Sequence, residues 1–322
     1  MSLYFSNLKS DIGRAVNSLP FVQSFLKKGL TVFVFHEVTD DPSPFQKEYG
    51  LAVSRAIFEY QVSWILSNFR VVHPRVLFDL AALPPNAALI TFDDGFVGTF
   101  ENGLRHLSAR RVSSLVFLNM KPILEQTPML SAKACYLARF VPAIHEYIQR
   151  DARAYPVHLS LTPAALHSYE QEHGLVNQDA LLAYQGRYAD RGMVTAWSHN
   201  EYAVLGNHLF DHWNAAVLNR EEFVEQFQIN KEALSAMSNN VGFFAFPNGQ
   251  PGTCFTQEHV AILRTLGVPR VFSAAGGVNR DPGRFVLGRI ALGPNDGTPE
   301  RLWGCVFKGA INRAEHAEPP RG

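Results

Sequence analysis

Short runs of apolar residues alternate with segments of helical periodicity along most of the chain. The apolar runs predict buried strands at LTVFVF (30–35), AALITF (87–92), SLVFLN (114–119), GFFAF (242–246), RVFSA (270–274) and RFVLGRIAL (284–292). The helical segments fall at 56–69, after residue 92 as far as about 110, at 221–237 and at 257–266. This alternation predicts βαβ units and a parallel sheet. The number of strands favours a closed or nearly closed barrel.

Residues 121–200 interrupt the alternation. They are rich in helix formers and polar residues, with prolines at 122, 128, 142, 156 and 163. We interpret them as a helical insertion on the barrel and not as a separate domain. The predicted organisation is an N-terminal helical segment over 1–29, a barrel over 30–310 that carries the insertion, and a disordered tail over 311–322.

The first thirty residues lack the cationic start and the unbroken apolar run of a signal peptide, and they are too polar to span a membrane. Apolar residues recur there at helical spacing, at Leu8, Ile12, Val16 and Leu19. The pattern is typical of a helix packed under the domain. The alternative is a peripheral helix on a membrane surface that ends at Lys27 and Lys28.

Composition narrows the class of protein. The 322 residues are 47% hydrophobic and 18% charged, as in an ordinary globular protein with an ample core. Lys plus Arg equals Asp plus Glu at 29 each, so we expect no nucleic-acid partner held by bulk charge. The three cysteines form no C-x-x-C pair and no evident disulfide framework, which favours a reducing, cytoplasmic location. If the first helix lies on a lipid surface, the protein would also be membrane-associated.

Polar or otherwise unusual residues directly follow three of the predicted strands. They are His36 after the first strand, Asp93 and Asp94 after AALITF, and Pro247, Asn248 and Gly249 after GFFAF. The carboxyl ends of parallel strands meet at one edge, where α/β proteins build their sites. Two adjacent carboxylates after a buried strand are costly unless a cation lies between them or one of them carries a proton.

The stretch LGNHLFDHW (205–213) supplies two imidazoles, His208 and His212. On a helix, residues four apart lie on one face. Two imidazoles and one carboxylate make a facial triad for a divalent metal and leave positions open for water and substrate. The H-x-x-x-H spacing is a weak signal by itself, because most histidines are surface or hydrogen-bonded core residues.

The motif TFDDG (91–95), followed much later by GNHLFDH (206–212), resembles the polysaccharide deacetylase family, the carbohydrate esterases that share the NodB-homology domain. FVFHEVTDD (33–41), FEYQVSWI (58–65) and FFAFPNG (243–249) resemble the branch of that family whose first strand ends in His. The resemblance covers residues 30 to 295. It implies a distorted (β/α)7 barrel.

The resemblance also implies roles for single residues. Asp94, His208 and His212 would hold a divalent metal, usually zinc in this family, and Asp93 would be the general base that takes a proton from the attacking water. The backbone at 247–249 would line the substrate site and donate an N–H to the oxyanion. The implied reaction is metal-dependent removal of an N-acetyl or N-formyl group from an amino sugar, in the biosynthesis of a polysaccharide or glycolipid.

The chain departs from the family pattern at three places. Leu209 stands where the family has Ser or Thr after the first histidine. Ala245 stands where a loop motif begins with Arg, and the Asp-x-x-Asp-Trp partner of that Arg is missing as well. The late Leu-x-His, source of the catalytic acid, best matches LGR (287–289), and an arginine cannot serve as a proton donor.

We therefore assign Arg289 to substrate binding and His36 to the role of acid, because an imidazole titrates near neutral pH. Two alternatives to His36 remain: it only shapes the pocket through a hydrogen bond, or Asp93 itself passes the proton on. The missing acid also favours a second function, a catalytically weak deacetylase-like barrel that binds a glycan. Phosphoryl transfer lacks a Gly-rich phosphate loop, and serine hydrolysis lacks G-x-S-x-G.

Overall fold

A computed structural model of the chain describes residues 2–148 and 156–311. Its strands are β1 (Leu30–Phe35), β2 (Glu37–Val38), β3 (Ala52–Val53), β4 (Arg70–Val71), β5 (Ala87–Phe92), β6 (Ser114–Leu118), β7 (Ala203–Asn207), β8 (Asn240–Ala245), β9 (Val271–Ser273), β10 (Val278–Asn279), β11 (Val286–Gly288) and β12 (Ile290–Ala291).

Its α-helices are α1 (Ser2–Asn17), α2 (Pro20–Leu26), α3 (Pro44–Glu48), α4 (Arg55–Asn68), α5 (Arg105–Ala109), α6 (Met120–Glu125), α7 (Leu130–Phe140), α8 (Pro163–His173), α9 (Gln178–Gln185), α10 (Arg191–Ser198), α11 (Arg220–Ser235), α12 (Gln257–Thr265) and α13 (Pro299–Ile311). A π-helical segment, Thr99–Leu104, precedes α5, and short 3-10 turns cover Pro74–Phe78, Leu80–Ala82, Pro142–Tyr147, Val157–Leu159 and Ala215–Val217.

Parallel strands form a ring in the order β1, β5, β6, β7, β8, β9, β11. The ring closes through β12, which pairs in parallel with β1 at Phe33↔Ile290 and Val34↔Ala291. Only Arg289 separates β11 from β12, so the two are halves of one interrupted strand. The seven-stranded (β/α) barrel expected from the sequence is confirmed.

The barrel strands are apolar at nearly every position because both of their faces are buried. In β1, Leu30 and Val32 belong to a cluster that fills the barrel interior, together with Leu89 of β5. Phe33 and Phe35 point the other way and pack into the layer of surrounding helices. Because side chains alternate along a strand, each apolar run contributes to two cores, one inside the barrel and one between the barrel and the helices.

The segment between β6 and β7 contains helices α6 to α10. Its apolar side chains, among them Leu130 and Leu137, cluster with Leu209 and Trp213 from the segment that follows β7. The predicted insertion thus packs against the histidine-bearing loop at the carboxyl end of the barrel.

The N-terminal segment forms two helices. Val16 of α1 is buried in the core, and α1 lies against α13 so closely that backbone nearly meets backbone. The tail predicted over 311–322 lies, apart from the last residue of α13, outside the described residues. Among the helices that are described, none has both the length and the apolar character needed to cross a bilayer.

The contact between α1 and α13 depends on two glycines. A Cβ on Gly13 would lie 1.6 Å from the carbonyl oxygen of Glu300, and one on Gly304 would lie 2.5 Å from that of Lys9. Gly13→Val should push the helices apart and lower the free energy of unfolding by about 1–3 kcal/mol, the usual cost of overpacking. Urea denaturation measures this, with exposed Ala15→Val as the control on the same helix. Equal midpoints for both variants would contradict the close packing.

Candidate active site

Both carboxylates of the DD pair reach the carboxyl end of the barrel, by different routes. Asp93 continues the inward-facing series of Leu89 and Thr91, so its side chain points into the mouth of the barrel. Asp94 has φ +74° and Gly95 has φ +103°, in the left-handed region. The chain therefore turns sharply after the strand and brings the second carboxylate to the same place.

The two histidines do not lie on a helix, so the shared helical face that their spacing would give does not form. They follow β7, a strand that the apolar pattern did not predict, in a loop where Leu209 has φ +60° and His212 has φ +50°. Asparagine side chains replace helical hydrogen bonds: Asn119 Nδ2 donates to the carbonyl of Leu209 (2.9 Å), and Asn207 Oδ1 accepts from its N–H (2.9 Å). The loop brings the two imidazole rings to a centroid separation of 5.0 Å.

Asp94, His208 and His212 meet in one buried cluster, with one potential ligand atom from each lying within 4.8 Å of the others. Asp94 Oδ1 is 3.2 Å from His212 Nε2 and 3.6 Å from His208 Nε2. Although His212 Nε2 is this near, the buried Asp94 Oδ1 has no hydrogen-bond partner among the described residues.

The protonation of the cluster suits a cation. His208 Nδ1 donates to the carbonyl of Ala245 (2.8 Å), which leaves the Nε2 lone pair directed at the cluster. Burial lowers the pKa of His208 to about 4, so this imidazole is neutral. Burial alone would raise the pKa of Asp94, but the neighbouring imidazoles, His212 foremost, hold it well below its usual range. The neutral His208 nitrogen, the neighbouring His212 nitrogen and an ionised Asp94 oxygen with no hydrogen bond among the described residues fit a divalent metal such as zinc.

Asp93 has a different partner. Its Oδ1 and Oδ2 accept hydrogen bonds from Nη1 (2.6 Å) and Nη2 (2.7 Å) of Arg289, whose side chain is 1% exposed. Burial would raise the pKa of Asp93, but the guanidinium outweighs it, so the pKa lies below its usual value and the carboxyl is ionised. The sequence predicts a substrate-binding role for Arg289. In the structure Arg289 lies at the break between β11 and β12, where it pairs with Asp93 and also lines the pocket.

A pocket of about 90 Å³ opens above these groups and is lined by His36 and Asn248 as well as by the two carboxylates. Asn248 has φ +59° and a buried side-chain Nδ2 without a hydrogen-bond partner among the described residues. Pro247 and Gly249 do not line it; they support the turn, in which the Gly249 N–H donates to the Pro247 carbonyl at 2.6 Å. Of the predicted substrate-binding turn, Asn248 alone faces the pocket.

The remaining walls of the pocket were not identified from the sequence. They include Tyr49, which follows α3, and Cys135 and His158 from the insertion, with the rings of Tyr49 and His158 edge to face at 5.4 Å. No local pattern marks these residues, because only the packing of the insertion over the barrel brings them to the pocket.

The sequence matches no family model and no curated protein. Among solved structures, IcaB from Ammonifex degensii is similar with a TM-score of 0.56 and 19% identity over 86% of this chain and 97% of that one. A polysaccharide deacetylase from Bacillus cereus has a TM-score of 0.57 and 12% identity, over 87% and 69% of the two chains. The chain has the polysaccharide deacetylase fold. The Streptococcus pyogenes deacetylase PplD, in complex with acetate, has a TM-score of 0.53 and 14% identity over 86% of this chain and 98% of that one.

The likeness, at these identities, establishes the fold, whereas the metal site rests on the side chains themselves. His208→Ala and His212→Ala should each remove bound zinc, because two remaining ligands hold a zinc ion poorly. Elemental analysis after zinc loading and dialysis measures the metal content, and exposed His167→Ala is the matched control. A wild-type protein that stays metal-free after loading would contradict the assignment.

Proposed function

We propose that the protein is a metal-dependent hydrolase that removes an N-acetyl or N-formyl group from an amino sugar. The observation that carries the proposal is the buried triad of Asp94, His208 and His212 beside an ionised carboxylate, in a pocket at the carboxyl end of the barrel. The fold supports it, because two of the similar structures are described as deacetylases. The acetate in one of them is what hydrolysis of an N-acetyl group releases.

Hydrolysis of an amide needs an activated water, a polarised carbonyl and a proton for the departing amine. A zinc ion held by the triad would supply Lewis acidity, which polarises the carbonyl and lowers the pKa of water to about 7. Asp93 is the general base: Arg289 keeps it ionised and fixes the plane of its carboxylate. Its Oδ2 lies 3.8 Å from His208 Nε2, so the base adjoins the triad.

The proton for the amine comes from His36. This half-buried imidazole lines the pocket and interacts electrostatically with both Asp93 and Asp94. Arg289 cannot take that role, since a guanidinium does not release its proton at any relevant pH. Asn248 orients the acyl group through its Nδ2, which has no hydrogen-bond partner among the described residues.

One observation favours the second candidate, a barrel that binds a glycan without turnover. Arg289 stands where the resemblance places the acid, and both of its terminal nitrogens are engaged by Asp93. An assay of the zinc-loaded protein with N-acetylglucosamine oligomers distinguishes the two functions. Deacetylation releases acetate and free amine in equal amounts, and Asp94→Asn abolishes both. Saturable binding without acetate would establish the glycan-binding protein instead.

Because the two carboxylates have separate roles, the same substitution should have different effects at Asp93 and at Asp94. Asp93→Asn should keep the zinc content of the wild type and lower kcat by about 10² or more, as expected for loss of a general base. Asp94→Asn should lose zinc. Parallel measurements of metal content and acetate release test this, and equal loss of metal in both variants would show that the roles are wrong.

Arg289→Met tests the same base from its partner's side. Without the guanidinium, burial raises the pKa of Asp93, so the acid limb of the kcat/KM profile should move to higher pH. Removing one member of a buried pair costs about 3–5 kcal/mol of stability, so Arg289→Lys, which keeps the charge, is the second variant and should shift less. If both variants fold and the acid limb of the kcat/KM profile stays where it is in the wild type, Asp93 is not the base.

His36→Gln tests the proton donor. Glutamine keeps hydrogen bonding but does not titrate, so the variant should bind zinc normally and lose the alkaline limb of its kcat profile. His158→Gln makes the same substitution at the other pocket imidazole outside the triad and should keep that limb. If His36→Gln keeps both limb and rate, His36 is not the donor. Loss of the limb in His158→Gln instead would assign the donor to the insertion.

A further inference from the structure

Helix α2 carries apolar side chains that the barrel does not cover. Phe21 is 84% exposed and Phe25 53% exposed, and the preceding Leu19 is 51% exposed. Phe21 and Phe25 are four residues apart, so the two rings share one face of the helix. Leu26, on the opposite side, is buried and anchors the helix to the core. Single exposed apolar residues are common on protein surfaces, but three within seven positions form a surface suited to binding.

Basic side chains surround this surface. Lys28 Nζ lies 5.7 Å from the centroid of the Phe25 ring, and the Arg280 guanidinium carbon lies 4.6 Å from it. Arg280 is also fixed by hydrogen bonds from Nη1 to the carbonyls of Phe25 (2.7 Å) and Lys28 (3.2 Å). Lys27, which precedes Lys28 in the chain, is half-buried, and its Nζ lies 5.8 Å from the centroid of the Trp303 ring. Exposed aromatic rings within a group of cations are typical of segments that lie in the interface of an anionic bilayer.

The two interpretations of the N-terminal sequence apply to different helices. In the part of helix α1 whose side chains are described, the apolar face is already covered, because Val16 is buried and Gly13 lies against the backbone of α13. Helix α2 instead turns its phenylalanines outward. Among the described side chains of the two helices, the surface available to a membrane is therefore that of the short second helix and its basic neighbours.

We propose that the surface formed by Leu19, Phe21, Phe25, Lys27, Lys28 and Arg280 docks the protein peripherally on an anionic lipid bilayer. The phenylalanine rings enter the headgroup region, and the cations lie against the acidic headgroups. Because α2 leads into the amino end of β1 and the pocket lies at its carboxyl end, the six-residue strand places them about 20 Å apart. The docked protein therefore opens its pocket away from the lipid.

Sedimentation with vesicles tests the proposal without reference to catalysis. The zinc-loaded wild type should bind vesicles of phosphatidylcholine with 30% phosphatidylglycerol, bind pure phosphatidylcholine far more weakly, and dissociate as salt is raised. Phe21→Ser with Phe25→Ser should weaken binding by about tenfold or more, as expected from the loss of two interfacial aromatic anchors. Lys28→Glu should weaken binding to the anionic vesicles and reduce its salt dependence.

Matched controls are Leu175→Ser, at an apolar side chain 76% exposed elsewhere on the surface, and Lys231→Glu, at an exposed lysine of α11. Both should bind as the wild type does. Wild-type protein that stays in the supernatant with anionic vesicles would overturn the proposal, as would α2 variants that bind equally well. A dimeric mass in solution that Phe21→Ser converts to a monomer would also overturn it, because the surface would then belong to a second copy.

Discussion

The ion pair between Arg289 and Asp93 is the interaction that allows two adjacent carboxylates to be buried at the end of one strand. Without it, Asp93 would take up a proton or compete with Asp94 for the cation. With both of its oxygens held by the guanidinium, Asp93 remains charged and stays out of the triad. Asp94 is then free to face the two imidazoles, with one oxygen that accepts no hydrogen bond from the part of the chain that the structure describes. Neighbours in the sequence thus acquire different chemistry from different partners.

The strands of the barrel position the ion pair between Arg289 and Asp93. The strand that closes it is interrupted at Arg289, so that β11 pairs with β9 and β12 pairs with β1 while the arginine side chain turns inward. Ala245, at the end of β8, contributes through its backbone, since its carbonyl fixes the tautomer of His208. At two positions where the chain departs from the pattern of the family that it resembles, the barrel thus uses a guanidinium as the partner of Asp93 and a backbone carbonyl to orient His208.

Much of this arrangement could be predicted from local sequence. The runs LTVFVF and AALITF identify strands buried on both faces, and parallel strands bring their carboxyl ends together, so His36 and the DD pair could be placed at one rim. Strand β7 was missed because it has five residues and includes Gly206, where a Cβ would lie 2.7 Å from the Phe117 ring. The partner of Asp93 was missed for another reason: it lies 196 residues away, and no local pattern encodes that contact.

The most direct test of the account is anomalous diffraction from a zinc-loaded crystal, recorded on both sides of the zinc absorption edge. The account predicts one anomalous peak about 2.0–2.2 Å from Asp94, His208 Nε2 and His212 Nε2, as is usual for zinc bound by nitrogen and carboxylate oxygen. Asp93 should remain paired with Arg289 in the same crystal. A zinc ion bound by Asp93, or an Asp93 that has left Arg289 to join the metal, would contradict the separation of roles on which the mechanism depends.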